Sequence, residues 1–201
     1  MLAVTRGAPA NLGGWVVEPK LDGWRATVTV EPGQVQVRTR TGRLLDPASV
    51  AHLAPLAATG AHMCLDGEIA VGPGHPDDFR RVPTALARPG ATPVTLWLFD
   101  ITWLDDTTLS RSPLLERRAA LEALALEGHC EWVRLVPSFD GTDATALLAA
   151  CEDTGMEGVV LKDVASRYLP GRRSAAWRKL KCDTWRTRHT PTRTPRRAAA
   201  V

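Results

Sequence analysis

One lysine in this sequence stands where a side chain could act as a nucleophile. Lys20 opens the pattern Lys-x-Asp-Gly-x-Arg, which continues through Asp22 and Gly23 to Arg25 and lies between two apolar runs. An amine held on a short turn is a candidate nucleophile, but it attacks only when it is unprotonated. Asp-Gly between β-forming residues is also a strong hairpin signal, with nearby basic side chains solvated. The pattern alone leaves both interpretations open.

Short strands must hold this turn in place. Alternation of apolar and polar residues predicts strands over 15–18, 24–30 and 34–38, with Pro32-Gly33 as a turn. Two further apolar strands are predicted over 62–71 and 94–101. A Gly/Pro-rich loop over 72–93 is expected to separate them. These segments predict an antiparallel sheet.

Helices are predicted between and after these strands. The first is expected over 47–58. A second is expected to start at Ser112 as N-cap with Pro113 as its first residue, and Gly128 is expected to stop it. The remaining predicted elements are a helix over 143–153, a strand over 157–163, an arginine-rich loop and a strand over 177–181. Without a regular βαβ alternation, this mixture favours an α+β fold.

Composition and length indicate a globular protein of one ordinary domain. The chain has 201 residues, of which 44% are hydrophobic and 23% are charged. No apolar run approaches the roughly 20 residues needed to cross a bilayer, and the start lacks a signal-peptide pattern, so we expect a cytoplasmic protein without a membrane partner. The four cysteines and five histidines are scattered, which argues against a zinc site and predicts reduced thiols.

The basic charge is concentrated at the end of the chain. Residues 182–201 carry a net charge of +4 and residues 1–181 a net −1, for a total of +3. The Thr, Pro, Arg and Ala composition of residues 182–201 predicts a disordered tail. Basic tails often contact nucleic-acid phosphates, although a solubilising extension has the same composition.

Four further segments follow the lysine pattern in a fixed order. They are residues 65–68 (Leu-Asp-Gly-Glu), 96–100 (Leu-Trp-Leu-Phe-Asp), 157–162 (Glu-Gly-Val-Val-Leu-Lys) and 177–181 (Trp-Arg-Lys-Leu-Lys). Each is weak alone, because it also fits a turn, a core strand or a solvated edge. Together, in this order, they resemble the motifs of covalent nucleotidyltransferases, meaning ATP-dependent DNA ligases, RNA ligases and mRNA capping enzymes. With residues 166–174 (Ser-Arg-Tyr-Leu-Pro-Gly-Arg-Arg-Ser), the chain most resembles the adenylation domains of bacterial ATP-dependent DNA ligases of the ligase C and ligase D type.

The resemblance implies a covalent reaction and a role for each motif residue. In this family a lysine attacks the α-phosphorus of ATP and becomes lysyl-AMP; AMP then passes to a DNA 5′-phosphate, and a 3′-hydroxyl displaces it. The matching nucleophile is Lys20, and Phe99 matches the ring that stacks on adenine. The implied nucleotide-binding residues are Glu18, Arg25, Arg40, Glu68, Phe99, Lys162, Lys179 and Lys181. Glu68 and Glu157 are the implied ligands of Mg²⁺ or Mn²⁺, which prefer oxygen donors.

The resemblance also implies an architecture and partners. The expected fold is α+β, with mostly antiparallel sheets packed with flanking helices and the nucleotide in the cleft between them, over residues 1–181. Related ligases continue into an OB-fold, but only 20 residues follow residue 181, too few for a five-stranded barrel. We therefore expect no OB-fold domain. The expected partners are nicked or broken duplex DNA, sealed in repair or recombination, and a separate OB-fold or end-joining protein.

Two alternatives stay open at this point. The first is an RNA ligase or a capping-type nucleotidyltransferase with the same lysine chemistry. The second is a non-catalytic remnant that binds nucleic-acid phosphates through its arginines, in which case binding should weaken with salt and should not depend on Lys20.

Overall fold

Two β-sheets form the framework of the protein, which the computed structural model describes over residues 1–71, 78–88 and 93–189. The strands of the first sheet are β1 (Leu2–Thr5), β2 (Trp15–Lys20), β9 (Phe139–Asp140), β10 (Gly158–Asp163) and β11 (Arg173–Lys181). Their order across the sheet is β1-β11-β10-β2-β9. Neighbouring strands are antiparallel, except that β1 and β11 run parallel.

The second sheet has six strands and is also mainly antiparallel. They are β3 (Trp24–Glu31), β4 (Gln34–Thr39), β5 (Met63–Ala70), β6 (Thr95–Leu104), β7 (Thr107–Thr108) and β8 (Val133–Leu135). The order is β4-β3-β5-β6-β7, with β8 parallel to β6. These strands confirm the prediction of antiparallel pairing around the Pro32-Gly33 turn.

Each sheet has its own hydrophobic core. In the second sheet, Val28, Leu65 and Leu98 are fully buried and belong to the same cluster as Leu53 and Leu121. A smaller cluster on the first sheet contains buried residues of β2 and β10 together with Cys151 and Cys182. Each fully buried Val or Leu contributes about 1.5–3 kcal/mol relative to an exposed one, so both sheets are held as stable platforms.

Five α-helices and two 3₁₀ segments surround the sheets within the described residues; the shorter 3₁₀ segment is Gly141–Asp143. The α-helices are α1 (Asp78–Leu86), α2 (Leu114–Ala123), α3 (Leu126–His129), α4 (Ala144–Asp153) and α5 (Asp183–His189). The helix predicted over 47–58 is a 3₁₀ segment, Pro47–Thr59, which contains Pro55. Val50 leaves helical backbone angles (φ −125°, ψ 16°), so a kink interrupts the segment, and Pro55 lacks the N–H needed for a regular α-helical hydrogen bond in its second half.

Several predicted boundaries are wrong. The predicted loop over 72–93 contains α1, and residues 72–77 and 89–92 lie outside the described part of the chain. Ser112 is not the N-cap of α2; Pro113 occupies that position without a side-chain hydrogen bond. The helix ends at Ala123, because Ala125 adopts a positive φ of 45° and is the N-cap of the separate helix α3.

The last strand and the tail also differ from prediction. β11 begins at Arg173, so part of the predicted arginine-rich loop is strand. Residues 183–189 of the predicted disordered tail form α5, and residues 190–201 lie outside the described part. Helix α5 is stabilised because Glu152 accepts hydrogen bonds from two of its first N–H groups.

The α+β prediction, with mostly antiparallel sheets and flanking helices, is confirmed. Within residues 1–71, 78–88 and 93–189, no OB-type barrel accompanies the two sheets. None of the helices in this part of the chain has the length and apolar character required to traverse a bilayer.

Candidate active site

The lysine motif joins the two sheets. Lys20 is the last residue of β2 and Trp24 the first of β3, so residues 21–23 carry the chain from one sheet to the other. A cavity of about 520 Å³ opens at this junction and is lined by residues of both sheets. The predicted cleft between the sheets is therefore present, with Lys20 in its wall.

Alternate residues of three strands face the cavity. Residues two apart on a strand point to the same face, so one strand can present two functional side chains. The lining pairs are Glu18 and Lys20 on β2, Val160 and Lys162 on β10, and Trp177 and Lys179 on β11. The second sheet contributes Arg25, Glu68 and Phe99 from β3, β5 and β6.

The structure brings together eight of the predicted residues around this cavity. They are Glu18, Lys20, Arg25, Arg40, Glu68, Phe99, Lys162 and Lys179. The two remaining predicted residues, Glu157 and Lys181, do not line it but lie beside Lys20. The sequence contains four lysines, at positions 20, 162, 179 and 181, and all four are in this group.

Lys20 belongs to a cluster of two amines around one carboxylate. Its Nζ lies 2.5 Å from Glu157 Oε2, and Lys181 Nζ lies 2.8 Å from Glu157 Oε1. Burial alone would raise the pKa of Glu157, but the two ammonium groups outweigh burial and lower it. Burial, together with the positive charges of Lys181 and Lys20, lowers the pKa of Lys179. The Glu157 carboxylate therefore pairs with two of the three lysine amines at this site, those of Lys20 and Lys181.

Strand register explains why Glu157 reaches both lysines. Gly158, the first residue of β10, pairs with Lys20 of β2 on one side and with Lys181 of β11 on the other. Its φ is +141°, and a Cβ built at this position would lie 2.0 Å from the carbonyl oxygen of Leu180. Only glycine fits this close approach. Glu157 precedes it and is thereby placed between the two strand ends.

A buried ion pair lies beside the aromatic part of the cavity. Lys162 Nζ is 2.6 Å from Glu18 Oε2, and both side chains are less than 5% exposed. The same ammonium lies 4.6 Å from the ring centroid of Phe99 and 4.3 Å from that of Trp177. Burial raises the pKa of Glu18 and lowers that of Lys162, while their pairing opposes both shifts. Phe99 and Trp177 thus form an apolar wall backed by a fixed charge pair.

Arg25 is held by Asp66 of β5 and by Tyr168, which lies in the loop between β10 and β11. Its Nε donates to Asp66 Oδ1 at 2.9 Å, and its NH2 group also pairs with Asp66. Tyr168 donates its hydroxyl proton to Asp66 Oδ2 at 2.7 Å. Burial alone would lower the pKa of Arg25, but Asp66 raises it, so the guanidinium remains charged. Asp66 and Tyr168 were not among the predicted site residues, although both lie within the quoted motif stretches.

Glu68 is hydrogen-bonded to the turn of the lysine motif, residues 21–23. Its Oε1 accepts a hydrogen bond from the Gly23 N–H at 3.1 Å, and burial raises its pKa to about 7. A nearby cation would favour its charged form at neutral pH, as expected for a metal ligand. The described residues contain no cluster of three or more metal-ligating side chains. Mg²⁺ usually keeps several waters and takes one or two carboxylates plus phosphates, so Glu68 and Glu157 fit as a partial donor set.

The mouth of the cavity is basic. Arg40 follows β4 and is exposed, and its backbone N–H donates to the carbonyl oxygen of Arg25 at 3.0 Å. Arg43 and Arg173 also line the cavity. Arg173 lies in the segment 166–174 that contributes to the family resemblance, but no spacing signal assigns Arg43 or Arg173 to the same opening as Arg40. Their positive charge suits a ligand with several phosphates.

A substitution at Gly23 tests how tightly the motif turn is packed. A Cβ at Gly23 would lie 2.2 Å from the carbonyl oxygen of Ile69 and 3.0 Å from Cγ of Glu68. We expect Gly23→Ala to lower the free energy of unfolding by about 1–3 kcal/mol, because backbone atoms must move. Urea unfolding measures this change. Gly7→Ala is the matched control, since no atom lies within 4 Å of its Cβ; equal stability of the two variants would contradict the prediction.

Sequence comparison finds one family model over most of the chain. The family described as "ATP dependent DNA ligase domain" matches residues 8–181. The multifunctional non-homologous end joining protein LigD of Mycolicibacterium smegmatis is 37% identical over 177 residues, covering 86% of this chain and 22% of that protein. DNA ligase B of Mycobacterium tuberculosis is 39% identical over 184 residues, covering 84% of this chain and 35% of that protein. The chain thus spans well under half the length of these relatives.

Solved structures of DNA ligases also match this chain. The ligase domain of M. tuberculosis LigD matches with a TM-score of 0.72 and 33% identity, covering 90% of this chain and 58% of that chain. A mycobacterial DNA ligase D complexed with ATP and MES matches with a TM-score of 0.70 and 30% identity, covering 89% of this chain and 59% of that chain.

Proposed function

Because the chain belongs to the ATP dependent DNA ligase domain family, we propose that it is an adenylation domain that forms lysyl-AMP at Lys20. The observation that carries this proposal is the position of Lys20. Its amine lies in the wall of a cavity that also contains an aromatic surface and several cations. A mycobacterial relative of similar structure was solved with ATP.

We assign the base and the phosphates of the nucleotide to different parts of the cavity. The base would lie against Phe99, near the buried Glu18 and Lys162 pair, since an aromatic ring and a fixed charge pair can both select a purine. The phosphates would lie toward Lys20 and Lys179, and Arg25, Arg40 and Lys181 add positive charge. Nucleotidyl transfer depends mainly on such positioning and charge neutralisation.

The chemical step requires Lys20 to leave its ion pair with Glu157. The lone pair of the neutral amine forms a bond to the α-phosphorus as the bond to the bridging oxygen breaks, and that electron pair leaves with pyrophosphate. The nitrogen loses one proton before the attack and a second after it. Glu157 Oε2, 2.5 Å from Nζ, is placed to accept a proton.

A divalent cation is part of the proposal. Mg²⁺ or Mn²⁺ would be held by Glu68 and Glu157, with the other ligands supplied by water and phosphate, and would neutralise charge on the phosphates. Both carboxylates then have a second role: Glu68 fixes the Gly23 turn, and Glu157 orients Lys20.

The role of Glu68 can be tested without disturbing the turn. Gln in place of Glu68 can still accept the Gly23 hydrogen bond, but it has no charge. We expect Glu68→Gln to raise the Mg²⁺ concentration needed for half-maximal AMP attachment by about 10–100-fold. A magnesium titration read by intact-protein mass spectrometry measures this. Glu116→Gln, at an exposed position of α2, is the control, and an unchanged Mg²⁺ requirement in Glu68→Gln would exclude Glu68 as a ligand.

Nicked or broken duplex DNA is the proposed acceptor of AMP. The support is the set of relatives named as DNA ligases and end-joining proteins, together with the basic mouth at Arg40, Arg43 and Arg173. We also propose that the chain acts in the cytoplasm, in repair or recombination. A separate OB-fold or end-joining protein is its proposed partner for DNA binding.

The deciding experiment follows AMP from ATP to DNA. Purified protein is incubated with ATP or GTP and Mg²⁺, and covalent nucleotide is measured by mass spectrometry; nicked DNA or nicked RNA is then added. We expect AMP attachment from ATP and transfer to the 5′-phosphate at a DNA nick. Attachment of GMP, or transfer to RNA alone, would favour a capping enzyme or RNA ligase. Salt-sensitive DNA binding without attached nucleotide would support a binding remnant.

A further inference from the structure

Helix α5 contributes a residue to the cluster around Lys20. We propose that Trp185 is a positioning residue for AMP attachment: its ring holds Lys181 against Glu157, and Glu157 in turn orients Lys20. This inference rests on the proposed function of Lys20. Trp185 lies outside the motif segments 65–68, 96–100, 157–162 and 177–181, and the family match ends at residue 181.

The contacts form an unbroken series from the helix to the nucleophile. Lys181 Nζ lies 3.7 Å from the ring centroid of Trp185. The same Nζ lies 2.8 Å from Glu157 Oε1, and Glu157 Oε2 lies 2.5 Å from Lys20 Nζ. An ammonium over an indole face is attracted by the negative face of the ring. Lys181 is thus fixed from two directions.

The position of the indole is itself fixed. Trp185 packs against the hydrophobic cluster of the first sheet, and its ring stacks on His189 with centroids 4.2 Å apart. Glu152 of α4 accepts the N–H groups of Asp183 at 2.9 Å and Thr184 at 2.8 Å. These hydrogen bonds lower the pKa of Glu152. Helix α5 is therefore attached to α4 at the end nearest Lys181.

Backbone contacts connect the same elements. The N–H of Cys182 donates to the carbonyl oxygen of Glu157 at 3.0 Å, and the Arg188 side chain donates to the carbonyl oxygen of Gly155 at 3.2 Å. The chain around Glu157 is therefore held on both sides by the start and the end of α5. Without the indole, the long Lys181 side chain would keep its pairing with Glu157 but lose the surface that limits its other rotamers.

A positioning role for Trp185 predicts slower AMP attachment with unchanged ATP binding. Trp185 is not among the cavity-lining residues, so ATP affinity should stay within about twofold of the wild type. We expect Trp185→Ala to slow AMP attachment at saturating ATP by about 5–30-fold, the range that a lost cation–π contact allows. Trp185→Phe keeps an aromatic face and should restore most of the rate.

A second pair of variants tests the helix without changing Trp185. Glu152→Ala removes the acceptor of the first N–H groups of α5 and should slow AMP attachment in the same way. Asp153→Ala removes the same charge from the neighbouring exposed position of α4 and should leave the rate unchanged. Trp103→Ala removes a half-exposed tryptophan near the far end of β6. This variant controls for the loss of an indole.

The experiment combines single-turnover AMP attachment, ATP affinity by calorimetry and thermal unfolding for every variant. A normal rate in Trp185→Ala overturns the inference. So does a weaker ATP affinity with an unchanged rate at saturation, or a Trp185→Phe variant as slow as Trp185→Ala. Absence of AMP on the wild-type protein would overturn the proposed function as well. A slow, folded Trp185→Ala variant rescued by Phe supports the inference.

Discussion

Replacing Lys20 with arginine is expected to abolish covalent attachment of AMP while leaving the fold intact. Arginine keeps a positive charge for Glu157, but its guanidinium does not lose a proton in proteins and cannot attack phosphorus. We expect attachment to be at least about 10³-fold slower than in the wild type. Intact-protein mass spectrometry detects the product as an added mass of roughly 329 Da, as the activated-lysine mechanism predicts.

Two comparisons make this result specific. Lys20→Ala should also lose the adduct, but it leaves Glu157 with Lys181 as its remaining ion-pair partner among the described residues, so it reports the combined loss of amine and charge. Thermal unfolding of Lys20→Arg shows whether the site is still folded. An adduct on Lys20→Arg would move the nucleophile to Lys162, Lys179 or Lys181, and peptide mapping would identify which.

The largest effect on stability is expected at Arg117. Its guanidinium is fully buried and lies 2.7 Å from Asp100 Oδ1 through Nε. It also donates to the carbonyl oxygens of Ser112 at 2.7 Å and Ser166 at 2.9 Å, so it ties α2, β6 and the segment before Tyr168 together. Removing one partner of a buried ion pair leaves an uncompensated charge. We expect Arg117→Met to lower the free energy of unfolding by about 3–5 kcal/mol.

Urea unfolding of three variants tests this assignment. Arg111→Met, at an exposed position just before α2, should be close to wild type. The double variant Arg117→Met with Asp100→Leu should recover part of the lost stability, because it removes the unpaired carboxylate. A loss of less than about 1 kcal/mol in Arg117→Met would show that the pair contributes little beyond a surface pair.

Local patterns in the sequence were sufficient to predict many of the strands, whereas the residues of the cavity wall were implied by the family resemblance. Alternating valines predicted β3 and β4. Side chains two residues apart on a strand lie on the same face, so this pattern can be recognised from neighbouring residues alone. The motif residues that line the cavity lie on strands or turns, where i and i+2 spacing places them on one face. Glu18 with Lys20, and Trp177 with Lys179, illustrate this. The roles assigned to these residues stay predictions until the variants are measured.

Long-range partners could not be predicted in the same way. Tyr168 lies 102 positions from Asp66, and Lys20 lies 137 positions from Glu157. No local pattern specifies such pairings, because they depend on how the sheets are placed. Helix α5 was missed for a related reason. Its composition resembles the remaining tail, and its N-cap acceptor comes from Glu152 on another helix.

The distribution of amines gives this protein an unusual chemical selectivity. The sequence has 21 arginines but four lysines, and all four lysines lie at or beside one cavity. Lys162 is 2% exposed, whereas Lys20 and Lys181 are 22% and 21% exposed. Acylating reagents and enzymatic acetylation act on lysine amines and not on guanidinium groups. Side-chain acylation of these 201 residues would therefore fall on the site itself, because they contain no lysine elsewhere.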